Sequence, residues 1–291
     1  MSFPNSGTTY TKHLVDVVSG YNTASNYDDG LSHGGTKTPI WDKLSNGPFY
    51  SASSNQNWTK TPTGFVLTKT HCGSYCLWCR STEYISTAAQ FSRSCGRTSH
   101  VPQGDNKPKI GHYNITLAKR AVHIIRDPFS NIVARFHHHI KSLAHQNETN
   151  SYTLDEKGFR TMCSELDAKL KEDIASSPFF RDVKDLVKVI PCSSDFYRWT
   201  QWHNLAHITT YDLGIPTLII HYENYTHNFN QTVDILHNFL RLDMKNEPPL
   251  FISGKVYRDY YTKDERKAVK EMVEKLATKK TWENVHHYFQ S

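Results

Sequence analysis

An α/β fold, read as a parallel β-sheet in three layers with helices on both faces, follows from three observations. Three short apolar, β-rich runs at residues 64–71, 120–125 and 216–222 have the length and composition of buried parallel strands. The second and third lead into helical spacing, with Ile132, Val133, Phe136 and Ile140 after one and the amphipathic run 229–240 after the other. At 291 residues with 37% hydrophobic content, the chain is long enough for one large α/β core, and one domain over 1–291 is expected.

Taken in order, residues 8–19 place Tyr10, Leu14, Val15 and Val18 at helical spacing directly after Gly7. Only Met1-Ser2-Phe3 precede this loop–helix junction, so a first strand and any N-terminal anchor are expected to be missing. Residues 20–64 are rich in Gly, Ser, Asn, Thr and Pro and read as a long surface excursion. Residues 64–71 end their strand in polar groups, and 72–112 read as irregular. Helices are predicted at 153–176, 178–189 and 196–211, the last carrying Trp199, Trp202, Leu205 and Ile208. Trp199, Trp202 and Tyr222 read as core. A charged amphipathic helix over 262–277 precedes an aromatic terminus from Trp282 to Phe289.

The net charge of +6 and pI near 8.9 favour anionic ligands weakly, and the dispersed Lys and Arg argue against nucleic acid. Mean hydropathy is −0.61 and no run approaches the length of a membrane span. Five sequons, at Asn57, Asn114, Asn147, Asn224 and Asn230, point to the secretory lumen. In that compartment the six cysteines read as disulfides, with pairing open; Cys72, Cys76, Cys79 and Cys95 as a zinc set is the weaker alternative. The triplet His137-His138-His139 cannot all face one ion from a helix and reads as a partly solvated face.

The segment Pro4-Asn5-Ser6-Gly7-Thr8-Thr9 has the chemistry of an anion cradle: Gly7 permits close backbone approach, while amides and hydroxyls donate at a helix N-terminus. It lacks the G-x-x-x-x-G-K-S/T spacing of a Walker A loop. Taken alone it is equally a Pro-Asn-Ser-Gly turn. Phe3-Pro4-Asn5-Ser6-Gly7-Thr8-Thr9-Tyr10 nevertheless resembles the Y-P-K-S-G-T-T-W loop of sulfotransferases that use 3′-phosphoadenosine 5′-phosphosulfate (PAPS). Lys69-Thr70-His71 resembles their K-T-H segment, the run ending in Arg126-Asp127-Pro128 their R-N/D-P strand end, and Leu218 to Glu223 their V-x-x-Y-E-D strand. The similarity runs from residue 3 to about 240, and the long excursion before Lys69 suggests the Golgi-type branch related to WSC-domain sulfotransferases.

That resemblance implies a P-loop NTPase-like fold and sulfuryl transfer from PAPS to a hydroxyl acceptor, expected to be a carbohydrate. The product nucleotide is 3′,5′-adenosine bisphosphate, no metal is required, and the implied location is the Golgi lumen. It implies His71 as general base and Lys69 as the cation on the reacting oxygens. Pro4, Asn5, Ser6, Gly7, Thr8 and Thr9 would hold the phosphosulfate. Arg126 would take the 3′-phosphate bidentately, with Lys255 and Arg258 from a late basic loop. Two positions depart from the pattern. Asn5 stands where the family carries Lys or Arg, and Ala134 stands where it carries the 3′-phosphate serine, so Ser130 or Arg135 is expected to substitute. A salt bridge of Arg126 with Asp127 is the less favoured alternative, and Lys255 and Arg258 read equally well as part of a surface loop. Two rival readings are a non-catalytic nucleotide- or glycan-binding protein and a P-loop kinase; the missing Walker lysine counts against the kinase.

Overall fold

A computed structural model describes residues 1–21, 23–26, 67–73, 87–100, 109–145, 152–176 and 178–290. The chain is α/β, with helices around a small parallel sheet. Helix α1 (Thr8–Ser19) opens the fold, followed by strands β1 (Thr23–Ser25) and β2 (Leu67–Lys69), which pair in parallel. Further along, β5 (Ala121–Ile125) pairs in parallel with β6 (Thr217–His221). Residues 1–2 join the two pairs. Ser2 bridges Ile124 in parallel, Ile124 N–H donates to the Met1 carbonyl, and on the other side Ser2 N–H donates to the Thr70 carbonyl. The order across the sheet is therefore β1, β2, residues 1–2, β5, β6, with the segment that leads into the loop at the centre.

Residues 72–112, expected to be irregular, contain regular elements where described. Helix α2 (Ala88–Cys95) begins with a capping box in which Thr87 and Gln90 exchange side-chain and backbone bonds, and β3 (Arg97–His100) pairs antiparallel with β4 (Lys109–His112). Of the excursion at 20–64, Thr23–Ser25 is a strand; most of the rest lies outside the described residues. Two disulfides, Cys72–Cys95 and Cys163–Cys192, account for four of the cysteines and remove Cys72 and Cys95 from any zinc set. Cys76 and Cys79 lie outside the described residues.

The remaining helices are α3 (Pro128–His145), α4 (Glu156–Ser176), the short α5 (Lys184–Val187), α6 (Ser193–Asp212), the short α7 (Asn224–His227), α8 (Phe229–Leu240), α9 (Lys263–Leu276) and α10 (Lys279–Val285). The run 178–189, expected to be one helix, is a 3₁₀ turn at Pro178–Val183 followed by α5. The core divides into two clusters, and alternate residues of β5 supply them: Val122 and Ile124 join Ile220 with residues of α1 and α8, whereas Ile125 joins residues of α3, α4, α6 and α9. Among the described residues no helix is long and apolar enough to cross a membrane.

Helix α6 is buried almost all round, which explains why its apolar spacing alone understated its length. Some of its polar residues are paired within the helix or to neighbouring elements. Asp195 lies 3.1 Å from Arg198 and 3.4 Å from Arg135, and Asn204 ties to the C-terminal end of α9 by donating to the Leu276 carbonyl and accepting from Thr278 N–H. Trp199 and Trp202 are core residues, as their spacing predicts.

Candidate active site

The loop forms because the chain must turn from the central strand segment into α1 within a few residues. Asn5 (φ 64°) and Gly7 (φ 90°) both adopt the left-handed conformation, which Asn and Gly tolerate best. Asn131 braces the turn by donating to the Pro4 carbonyl (3.1 Å) and to Ser6 Oγ (3.0 Å). Thr11 N–H to the Gly7 carbonyl closes the first turn, and α1 has no side-chain cap. The amides from Gly7 to Tyr10 thus form an uncapped helix N-terminus beside the glycine, where the helix dipole favours an anion.

Strand β2 ends beside this loop and delivers two of the expected residues. Lys69 is largely buried, and its Nζ lies 3.5 Å from Thr9 Oγ1. His71 is 3% exposed. Its Nδ1 is 2.9 Å from the Ser2 carbonyl, which can only accept, so Nδ1 carries the proton and Nε2 is the basic nitrogen. Burial, then the Lys69 charge, pushes its pKa down to about 3, so the imidazole is neutral across the physiological range. Ser2 Oγ links the parts by approaching both Thr8 Oγ1 (3.0 Å) and His71 Nδ1 (3.4 Å), and Trp202 Nε1 donates to the His71 carbonyl. The Cys72–Cys95 disulfide anchors the residue that follows His71.

Strand β5 is followed directly by Arg126, and the less favoured alternative for it, a salt bridge with Asp127, is not found among the described residues. Its Nη1 donates to the Asn5 carbonyl (2.8 Å), and its guanidinium carbon lies 4.4 Å from the centroid of the Tyr222 ring. Its buried Nε has no hydrogen-bond partner among the described residues. A cavity of about 360 Å³ opens here, and Arg126, Ser130, Lys255 and Arg258 all line it. Asp127 faces it too, 3.9 Å from Arg258; burial and the Glu223 charge raise its pKa to about 6.

The two departures from the family pattern touch one another. The Asn5 carboxamide donates to the Ala134 carbonyl (3.1 Å), so it is turned toward α3. Of the two residues expected to stand in for that family's serine, Ser130 lines the cavity, whereas Arg135 pairs with Asp195 and lies over the Phe3 ring.

Tyr222, assigned to the core from sequence, is half-buried and belongs to the site. A Cβ added to Gly7 would lie 2.5 Å from its ring, and one added to Gly254 would lie 3.0 Å from its hydroxyl. Only its place after the last strand could have marked it. The histidine triplet splits as expected: His137 stacks on Tyr257 while His138 is exposed. Among the described residues no group of three His, Cys, Asp or Glu is placed to hold a metal.

Comparison with known proteins yields no matching family model, no matching curated protein and no matching solved structure.

Proposed function

We propose that the chain is a PAPS-dependent sulfotransferase acting on a hydroxyl of a carbohydrate in the Golgi lumen, on a three-layer P-loop-like fold. The observation that carries this reading is convergence. Loop 4–9, Lys69 with His71, and Arg126 come from chain segments far apart in sequence, and adjacent strand ends bring them together. The residues fit a bisphosphorylated nucleotide. The uncapped amides beside Gly7 suit one anionic group, and Arg126 with its buried Nε, Ser130, Lys255 and Arg258 suit a second. Division of the β5 side chains between two helix-lined clusters supports the three-layer architecture, and two disulfides with the exposed sequon Asn114 support an oxidising, glycosylating compartment.

When bound, PAPS supplies a sulfuryl group joined to phosphate as a mixed anhydride. On this chain, neutral His71 offers Nε2 to the acceptor hydroxyl proton, with Ser2 holding the ring in that tautomer. The Lys69 ammonium, beside Thr9, stabilises negative charge developing at the loop. The walls around both residues exclude water from the reacting groups.

Calorimetric titration with 3′,5′-adenosine bisphosphate tests the reading, and a folded chain that fails to bind it sinks the proposal. Replacement His71→Ala should leave nucleotide affinity unchanged and lower transfer by about 10²–10⁴-fold. The Asn5 bond to Ala134 favours a second reading, a nucleotide-binding protein without turnover, because it turns the loop's side chain away from the anion site. Radiolabelled sulfate appearing in any acceptor would eliminate that alternative.

A further inference from the structure

The anion cavity carries a conflict of charge. Arg126, Lys255 and Arg258 share its walls with the carboxylates of Asp127 and Glu223. A carboxylate matches a guanidinium bidentately much as a phosphate does, so an unrestrained Glu223 would compete with an anionic ligand for the pocket's arginines.

Both Glu223 oxygens are engaged elsewhere. Oε1 accepts the backbone N–H of Asp127 (2.9 Å), and Oε2 accepts the hydroxyl of Tyr288 (2.8 Å). A tyrosine hydroxyl has one proton, and here it goes to the carboxylate, so the 2.8 Å contact with His221 Nδ1 is an N–H donated by the imidazole. Burial, then the charge of Glu223, pushes the Tyr288 phenol well up, so it remains a donor. The same residue also holds a cation, since Arg258 donates to the Tyr288 backbone carbonyl. Its turn is anchored by Phe289, which stacks on Trp282 and meets Phe129 edge-on.

We propose that Tyr288 is a positioning residue of the anion cavity, holding the Glu223 carboxylate away from the guanidinium groups so that they can receive a phosphate. This rests on the reading above only in that the cavity takes a phosphate group; nothing in the resemblance assigns Tyr288 a role.

The test is calorimetric titration of the full chain with inorganic phosphate and with 3′,5′-adenosine bisphosphate. Tyr288→Phe keeps the ring and the backbone carbonyl and removes the hydroxyl alone. It should weaken phosphate binding about tenfold, the scale of one hydrogen bond to a charged group. Adding Glu223→Gln to Tyr288→Phe should restore the affinity, because the freed side chain then carries no charge. A purely structural role would not be rescued in this way. Unchanged phosphate affinity in Tyr288→Phe, or no rescue in the double variant, overturns the proposal. If Tyr288→Phe does not fold, Glu223→Gln alone decides: phosphate affinity should stay near the wild-type value, and a tenfold gain would show that Glu223 already competes. Phosphate binding without bisphosphate binding would sink the nucleotide reading and leave this one standing. A wild-type chain that binds neither anion overturns both.

Discussion

At Gly7 the backbone sits at φ 90°, and a Cβ there would fall 2.5 Å from Tyr222 Cδ2 and 2.8 Å from Cε2. Gly7→Ala therefore meets two costs: about 1–2 kcal/mol for a left-handed L-residue, and displacement of a ring that also supports Arg126. The expected outcome is a lowered melting temperature together with loss of phosphate binding in calorimetry, whereas Gly214→Ala, with nothing near its Cβ, should bind as wild type. Gly7's turn was readable because it depends on local backbone. Tyr222's packing was not, because it is made against Gly7, Arg126 and Gly254, all distant along the chain.

Among the elements, β2 and α2 are coupled by the Cys72–Cys95 disulfide across a separation of 23 residues. Asn26 and Thr70 strengthen the same junction by donating to the Cys95 carbonyl. A Cys72→Ala/Cys95→Ala variant should lose about 2–4 kcal/mol in chemical denaturation. Since Cys72 follows His71 directly, the proposed function predicts that its transfer rate falls more than its nucleotide affinity, which loop 4–9 and Arg126 would supply; an equal fall in both would place the disulfide's role elsewhere. The three strand runs and helix α8 were legible because apolar patterning marks an element that buries a face. Helix α2 and the β3–β4 pair escaped notice because short elements with small or polar residues leave too little periodic signal.

For the whole molecule, the distribution of buried titrating groups sets an acid limit. His123 and His203 are in contact (2.7 Å) with His207 packed alongside, all buried, and burial pushes each below its ordinary value. His207 and His221 fall to about 4, and His71 to about 3. A histidine depressed by folding binds its proton more readily when unfolded. Its contribution is thus intact above about pH 6.5 and is lost below, at about 1.4 kcal/mol per pH unit for each group. Asp127 and Asp167, raised to about 6 and about 7, act in the opposite sense but are fewer. The melting temperature should therefore fall steeply between pH 6.5 and 5, and His207→Gln should flatten the slope; a flat profile would contradict this balance. Lys69, His71 and Arg126 were marked by motif resemblance, while the apolar runs and the glycine-bearing turn could be read in sequence because each depends on neighbours along the chain. The strand order that seats residues 1–2 between β2 and β5, the turning of Asn5 toward Ala134, the cysteine pairing and the Tyr288–Glu223 contact could not. They are set by side chains meeting across long sequence separations, where packing and hydrogen-bond geometry rather than local propensity select the partner.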